Sequence, residues 1–207
     1  MARTILLSAA MLALFATAAC DGSPTAGAED AISAAEAEEL ASVWDEIGAS
    51  AIDGAAGPLF SLSAGGEAAA LTTTTTFSRQ HDCPQGGTST LAGQRVVTAD
   101  AATRTGSLGL TATRTDAACA FRVRRGQGTL TLTGAPNVQV TAQQAWTAGV
   151  AGPHTATTRG AFTWARSAGQ SGSCTVDLTS TRTPATRIYT VTGTFCGKMI
   201  DITRTRG

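Results

Sequence analysis

The sequence predicts a mainly β protein: an up-and-down antiparallel sheet of eight or nine long strands, curled into a barrel or half-barrel, with one N-terminal amphipathic helix. Three observations carry this prediction. From Leu71 to Gly207, apolar and polar residues alternate at period two, and 32 of these 137 residues are threonine. Turn signals interrupt this region at short intervals. A single segment, residues 28–52, has the 3.6-residue period of an amphipathic helix.

The strand region is rich in a residue that suits pleated surfaces. Threonine is β-branched and stiff, and its alternation with leucine is clearest over 129–133. Short connections make neighbouring strands antiparallel, and strands longer than the usual five or six residues favour a curled sheet. We predict reversals of the chain at 116–117 and 134–137, among other turns. The predicted strands are 72–82, 88–98, 103–115, 120–133 with a break at 126–128, 137–147, 155–166, 173–182, 186–196 and 199–205.

Residues 28–52 are predicted to form the helix, because alanine, glutamate and leucine favour this structure. Its apolar residues fall on one stripe: Ile32, Leu40, Val43, Trp44, Ile47 and Ala51. Glu36 interrupts the stripe, and with Ser33 it has the spacing of a capping box, so the firm helix is predicted to begin near residue 34. The other acids are predicted to face away from the stripe: Glu38, Glu39, Asp45 and Glu46.

The cysteines predict two disulfides. Apart from Cys20 there are four, which allow three pairings. In the predicted meander, the turns beside Cys83 and Cys119 lie at the same edge of the sheet, and Cys174 and Cys196 lie at one end of a hairpin. We therefore predict the bonds Cys83–Cys119 and Cys174–Cys196. A zinc site is disfavoured, because the cysteines are 36, 55 and 22 positions apart rather than in closely spaced pairs.

Residues 1–19 are typical of an export signal, with Arg3 followed by an apolar stretch that is too short to span a membrane. The sequence Thr17-Ala18-Ala19-Cys20 resembles the lipobox of bacterial lipoproteins, whose cysteine receives diacylglycerol. Thr17 stands where leucine or valine is usual, and residues 16–18 also fit a general signal-peptidase site with cleavage before Ala19. The resemblance implies lipidation of Cys20 and attachment to a membrane of the bacterial cell envelope, on a periplasmic or outward-facing surface.

Charge divides the rest of the chain. Residues 20–27 are predicted to be a flexible tether, 28–70 an acidic helix and loop, and 71–207 a Thr/Arg-rich antiparallel β domain. Ten acids and no Lys or Arg lie between Cys20 and Ala70, whereas residues 71–207 carry 14 basic residues, 13 of them Arg, and five acids. The formal net charge of zero is therefore a cancellation between an acidic helix and a basic sheet.

The arginines suggest a binding surface. Arg122, Arg124 and Arg125 form a small cluster, and Thr-Arg-Thr recurs along the strands. One hypothesis is an anion-binding surface for lipid head groups or envelope polyanions. We favour the alternative, in which the arginines solubilise the sheet, protect its edges and complement the acidic helix. Nucleic acid is not an expected partner, because an exported chain without aromatic residues beside its arginines lacks a stacking platform.

Repeated T-x-T runs invite comparison with ice-binding proteins, which array threonine hydroxyls on a flat β-face. Such proteins usually repeat at a strict length, whereas the spacing between the runs varies here. The polar face of an ordinary secreted sheet is therefore the favoured interpretation.

No catalytic pattern emerges from the sequence. It contains no phosphate-binding loop, dinucleotide fingerprint, zinc-protease motif or G-x-S-x-G elbow. His81 is predicted to be a solvated residue at a strand end, and His154 is predicted to lie in a turn that contains Gly152 and Pro153. The five scattered acids of the β region do not predict a carboxylate pair. We therefore expect no enzymatic activity, no catalytic residue, no metal site and no cofactor.

The predicted architecture is similar to that of the periplasmic lipoprotein-carrier half-barrels, whose curled sheets hold helices and take up acyl chains. This likeness concerns architecture alone. It implies an envelope-tethered binding module for an apolar or amphipathic ligand, such as a lipid. The alternative function is that of a structural or interaction protein of the envelope, which contacts polyanions through its basic face and holds no small ligand.

Overall fold

A computed structural model describes residues 32–56, 71–124, 128–134 and 138–205, with the side chains of the helix described as far as Glu46. The predicted signal peptide, Cys20, the tether and Arg125 lie outside these residues. The described part is mainly β with one helix, as the sequence predicts, and its antiparallel sheet has ten strands where eight or nine were expected. No helix within it combines the length and the apolar character that crossing a membrane requires.

The elements follow one another along the chain as a helix and then strands. Helix α1 spans Ala34–Ala56. The strands are β1 (Leu71–Asp82), β2 (Thr88–Asp100), β3 (Thr105–Ala117), β4 (Cys119–Arg122), β5 (Thr129–Gly134), β6 (Val138–Thr147), β7 (Val150–Arg166), β8 (Ser171–Thr183), β9 (Ile188–Phe195) and β10 (Lys198–Thr205).

The predicted capping box forms at the start of α1. The backbone N–H of Ser33 donates to a carboxylate oxygen of Glu36 at 3.0 Å, and the backbone N–H of Glu36 donates to Ser33 Oγ at 3.3 Å. These reciprocal bonds satisfy two amide groups that the helix itself leaves unpaired. The predicted start near residue 34 is therefore confirmed.

The sheet is an open meander in the order β1-β2-β3-β6-β7-β8-β9-β10. The short strands β4 and β5 pair with each other, and β5 also pairs with the C-terminal half of β7. Because β5 and β6 both lie antiparallel to β7, they run in one direction as two parts of an interrupted strand. By the same reasoning, β4 continues in the direction of β3.

Two predicted reversals are therefore wrong. At 116–117 the chain does not turn back; it passes through Ala118, whose φ of 50° interrupts the strand locally. Beyond it, Ala120 exchanges backbone hydrogen bonds with Gln85 and Gly86 in the β1–β2 turn, which holds β4 against that turn. β5 and β6, which flank 134–137, also run in the same direction. The true reversal lies between Arg122 and Thr129, where the sequence indicated only a break within one strand.

The environment predicted for His154 is also wrong. β7 begins at Val150, before Pro153, and His154 is a buried residue of this strand rather than part of a Gly-Pro turn. The pairing of β6 with β7 shifts register between Gln144 and Trp146, opposite Pro153. A bulge accommodates proline because the missing N–H is not needed for the ladder there. His81 is exposed near the end of β1, as predicted.

The sheet curls around the helix. β1 and β10 are its two edges, and α1 contacts both of them as well as β2 and β9. The inner face is therefore concave and the outer face convex. Every second residue of the central strands is buried on the concave face, where a large apolar core includes Leu40 and Trp44 of the helix. A smaller cluster around Leu110 and Val140 continues that core along the strands.

Both predicted disulfides are present. Cys83–Cys119 joins the β1–β2 turn to the start of β4, with the Cα atoms 5.4 Å apart. Cys174–Cys196 joins β8 to the end of β9, with the Cα atoms 4.6 Å apart. The first pair forms although Cys119 follows no reversal, because β3 itself carries Cys119 to the end of the sheet where Cys83 lies. Each bond contributes roughly 3–4 kcal/mol in the loop-closure account.

Candidate functional site: the helix–sheet interface

The aromatic residues of the interface gather around Trp44. Its ring lies 4.3 Å from that of Phe162 on β7 and 5.2 Å from that of Phe195 on β9, both edge to face. Phe162 and Phe195 contact each other, with ring centroids 5.3 Å apart. All three side chains are buried. They form an aromatic cluster that joins the middle of α1 to the concave face.

A buried ion pair lies directly beneath this cluster. Arg114 and Asp116 are two residues apart on β3, so both project to the concave face. Arg114 Nη2 lies 3.0 Å from Asp116 Oδ1, and the two side chains are 2% and 0% exposed. Arg114 Nη1 also donates to the backbone carbonyl of Trp44 at 2.9 Å, and its guanidinium lies 4.5 Å from the Trp44 ring centroid. The pair therefore fixes the position of the helix as well as balancing its own charge.

Asp45 provides a second polar contact between helix and sheet. Tyr189 Oη donates a hydrogen bond to Asp45 Oδ2, and Arg182 Nη2 lies 3.7 Å from the same oxygen. Burial raises the pKa of Asp45 above its ordinary value, despite a hydrogen bond from Ser180 and the charges of Arg182 and Arg114. The prediction that Asp45 faces away from the sheet is therefore wrong, because Asp45 is adjacent to Trp44 and enters the interface at the edge of the apolar stripe.

Glu36 provides a third contact, close to the start of α1. It accepts a hydrogen bond from Arg166 Nη2 at 2.8 Å, and both side chains are 8% exposed. Burial opposes ionisation of Glu36, but the bonds from Ser33 and Arg166 outweigh it and hold the pKa of Glu36 below its ordinary value. Glu36 interrupts the apolar stripe in the sequence because it pairs with this arginine. We call Arg114, Arg166 and Arg182 the arginine contacts of the helix.

Two indole groups in the core have unsatisfied donors. Trp44 Nε1 and Trp164 Nε1 are buried and have no hydrogen-bond acceptor among the described residues. An indole N–H normally finds a partner when buried, and leaving one without an acceptor costs roughly 1–3 kcal/mol. Both indoles belong to the core between α1 and the sheet. An acceptor oxygen that entered this core would therefore be favoured beside them.

The predicted anion cluster lies in a different place, at one end of the sheet. Arg122 and Arg124 are exposed and line an open groove of about 1170 Å³, whereas Arg125 lies outside the described residues. The acidic side chains of Glu38, Glu39, Glu46 and Asp201 line the same groove. The carboxylate of Glu39 accepts the backbone N–H of Arg124 at 2.9 Å. An internal carboxylate thus already accepts the backbone N–H of Arg124, and the groove is not uniformly positive.

The histidines do not meet in a catalytic arrangement. His81 lies near the C-terminal end of β1 and His154 near the N-terminal end of β7, at opposite ends of the sheet. Within the described ranges, no three His, Cys, Asp or Glu side chains are grouped so that they could hold a metal ion.

Comparisons with protein-family profiles, curated proteins and solved structures find no match for this chain. The chemistry of the interface therefore follows from its own residues. Sequence reasoning missed Arg114, Asp116 and Tyr189. Alternation along β3 contained the signal, because Arg114 and Asp116 continue the series of alternate residues that begins with the apolar Leu108 and Leu110. No sequence pattern pointed to Tyr189.

Proposed function

We propose that this protein is an envelope-tethered module that binds an amphipathic molecule with an acyl chain between α1 and the concave face of the sheet. Lipidation of Cys20 would hold the module at a bacterial membrane. The two disulfides support an oxidising, extracytoplasmic compartment. The observation that carries the proposal is that one interface combines an aromatic surface, buried arginines and two indole donors without acceptors.

The arginine contacts favour a helix that can leave the sheet. Removing two charges from water costs several kcal/mol per ion, and a buried ion pair often stabilises a fold no better than apolar residues would. When α1 moves away, water solvates both partners of Glu36–Arg166 and Asp45–Arg182 again. These pairs therefore specify where the helix rests but add little to the free energy needed to open the interface.

The same groups define the chemistry of the ligand. The aromatic cluster of Trp44, Phe162 and Phe195 offers an apolar surface for an acyl chain. The indole N–H groups of Trp44 and Trp164 can donate to a carboxyl or ester oxygen. Arg114 Nη1 bonds the backbone carbonyl of Trp44, so when α1 moves away this N–H can donate to the same ligand oxygen while Asp116 remains paired with Arg114. A fatty acid or a monoacyl phospholipid has this combination of groups.

The alternative function, contact with envelope polyanions through a basic face, has weaker support. Arg166 and Arg182 are engaged by acids of the helix, and Arg159 pairs with Asp177 at 2.9 Å on the convex face. Arg122 and Arg124 share their groove with four acidic side chains. These five arginines thus do not form a uniform positive surface, so we retain the interface as the binding site.

Quenching of tryptophan fluorescence by a brominated fatty acid tests the proposal directly. The chain has three tryptophans, so a full-length Cys20→Ser protein with Trp146→Phe and Trp164→Phe reports from Trp44 alone. Bromostearic acid should quench Trp44 emission to saturation, because the bromine atoms would lie in the aromatic cluster. The matched control retains only Trp146, which pairs with Gly106 at the far end of β3 from Arg114, and should remain unquenched while native mass spectra show that the acid is still bound.

A kinetic variant separates uptake from simple surface adsorption. Arg182→Gln leaves the Asp45 carboxylate in the interface without its cation, which destabilises the closed position of α1 without altering the aromatic cluster, so quenching should become faster at a given ligand concentration. Equal quenching of Trp44 and Trp146 would indicate adsorption and contradict the proposal. Lack of saturable quenching, with no acyl species retained in native mass spectra of the protein purified from cells, would also contradict it.

A further inference from the structure

The convex face of the sheet carries its threonines in rows. Strand pairing places one threonine beside the next on five neighbouring strands: Thr111, Thr141, Thr157, Thr179 and Thr192. Because neighbouring strands are about 4.8 Å apart, this threonine row is roughly 19 Å long. The T-x-T runs are unequally spaced in the sequence, but their threonines still align across the strands because the turns between the strands differ in length.

A shallow groove of about 360 Å³ lies along this row. The groove is centred on the row of residues beside the threonine row. In that neighbouring row, which is displaced by two residues along each strand, Gly109 lies between Val96 and Gln143. Thr111, Thr141 and Thr157 form its side, and no charged residue lines it. The groove exists because Gly109 has no side chain to fill the gap between its two neighbours.

Neither backbone conformation nor packing requires glycine at this position. A Cβ atom at Gly109 would meet nothing within 4 Å, and its φ does not lie in the left-handed region. Gly93, by contrast, has the backbone of Thr111 against it, and Gly193 combines a φ of 132° with close contact to Asp177. Glycine inside a strand weakens the strand, and it often marks a site where a ligand approaches the backbone closely.

We propose that this groove binds a neutral, extended glycan chain that lies along the threonine row. Threonine hydroxyls and the amide of Gln143 supply donors and acceptors for sugar hydroxyls, and Val96, which is 39% exposed, offers an apolar contact for a sugar ring. The lack of charge in the lining matches a neutral polymer and disfavours a polyanion. One strand spacing is comparable to one sugar residue of an extended β-linked chain, so successive sugars can meet successive threonines.

A glycan is favoured over an ice surface because the site is a groove on a curled sheet, whereas ice presents a plane. This site lies on the opposite face of the sheet from the acyl site, so neither proposal depends on the other. If bromostearic acid does not quench Trp44, only the acyl site is contradicted. If no glycan binds, only the glycan site is contradicted.

Titration calorimetry of the full-length Cys20→Ser chain with chitohexaose and with cellohexaose tests the glycan site. We expect at least one of them to bind with an affinity that does not change with salt. Gly109→Val fills the groove and should weaken binding at least tenfold, while the midpoint of thermal unfolding stays the same or rises. Gln143→Ala should weaken binding severalfold. The matched control Gln139→Ala removes an amide from the same strand and face, outside the groove, and should bind normally.

Each other outcome would overturn the proposal. Normal binding by Gly109→Val would place the glycan elsewhere. Binding of neither oligosaccharide, or binding only of an anionic polymer such as polygalacturonate, would reject a neutral glycan as the ligand. Thermal hysteresis of freezing without oligosaccharide binding would assign the threonine row to ice.

Discussion

The two faces of the sheet use the same strands for opposite chemistry. On the concave face, alternate residues are large, buried and often aromatic, and the most buried charges there are paired with each other or with the helix. On the convex face, the intervening residues are mostly threonine, and Arg159–Asp177 is an ion pair whose side chains are 67% and 55% exposed. The concave face therefore holds the determinants of stability, and the convex face is free to vary for recognition.

The contrast shows how a chain with few aromatic residues sustains a core. The chain has six phenylalanines and three tryptophans. Three of these residues, Trp44, Phe162 and Phe195, lie together at the end of the concave face where both disulfides also lie. Further along the strands, the inner residues are smaller, as Ala112, Ala142 and Ala156 illustrate. Substitutions at the aromatic end should therefore have the largest effects.

The largest effect is expected for Trp44→Ala. It removes edge-to-face contacts with Phe162 and Phe195 and leaves a cavity between helix and sheet, so we expect the free energy of unfolding to fall by about 4–5 kcal/mol. Denaturant unfolding measures this change. Met199→Ala on the convex side is the control, because a side chain that is 77% exposed should cost under about 0.5 kcal/mol. Similar losses for the two variants would contradict the division between faces.

Ion pairs on the two faces should also differ. Asp116→Ala leaves Arg114 buried without its carboxylate, and we expect a loss of about 3–4 kcal/mol in the free energy of unfolding. Asp177→Ala breaks the exposed pair with Arg159 and should cost at most about 1 kcal/mol. Urea unfolding of both variants at the same pH compares them. A small loss for Asp116→Ala would mean that water reaches Arg114 in the native state.

Much of this architecture could be predicted from the sequence. Period-two alternation identified the strands, the cysteines identified both disulfides, and the Ser33–Glu36 spacing identified the start of the helix. These features are local or depend only on which end of the sheet a residue occupies. A disulfide depends only on which end of the sheet its two cysteines occupy. The bond Cys83–Cys119 was therefore predicted correctly, although the predicted reversals at 116–117 and 134–137 are wrong.

The site itself was less predictable, for a physical reason. A buried charged residue departs from the apolar pattern by which buried faces are recognised, so Asp45 and Arg114 were assigned to solvent and Glu36 was assigned a capping role alone. Their partners are distant in the chain, as Arg166 and Tyr189 show, and only the tertiary fold brings them together. The alignment of the threonine row likewise depends on register, which turns determine rather than repeat length.

The two helix acids should respond to pH with opposite signs, and both effects should be smaller than those above. The pKa of Glu36 is below its ordinary value of 4.5, so its contribution to stability is present above that pH and is lost as pH falls through the folded value. The pKa of Asp45 is above its ordinary value of 3.8, so its contribution is largest below that pH and is lost as pH rises through the folded value.

Glu36→Gln and Asp45→Asn separate the two contributions. Relative to the unsubstituted chain, Glu36→Gln should become less stable as pH rises through 4.5, whereas Asp45→Asn should become more stable as pH rises above 3.8. Thermal unfolding across acidic to neutral pH measures both differences. Parallel pH profiles for the two variants would show that the acids do not differ in environment.

The smallest effect is expected on the convex face, and it provides the sharpest test of the comparison. Thr179→Val and Thr192→Val exchange hydroxyls for methyl groups at neighbouring positions of the threonine row, where valine suits a strand as well as threonine does. We expect the free energy of unfolding to change by less than about 0.5 kcal/mol, measured by denaturant unfolding of the double variant.

A Val191→Thr variant is the matched control, because the same exchange in reverse places a hydroxyl in the fully buried core of the concave face and should cost roughly 1–3 kcal/mol. If the row were needed to hold the strands together, the convex variant would lose as much stability as the concave one. If only the concave variant loses stability, the threonine hydroxyls are dispensable for folding.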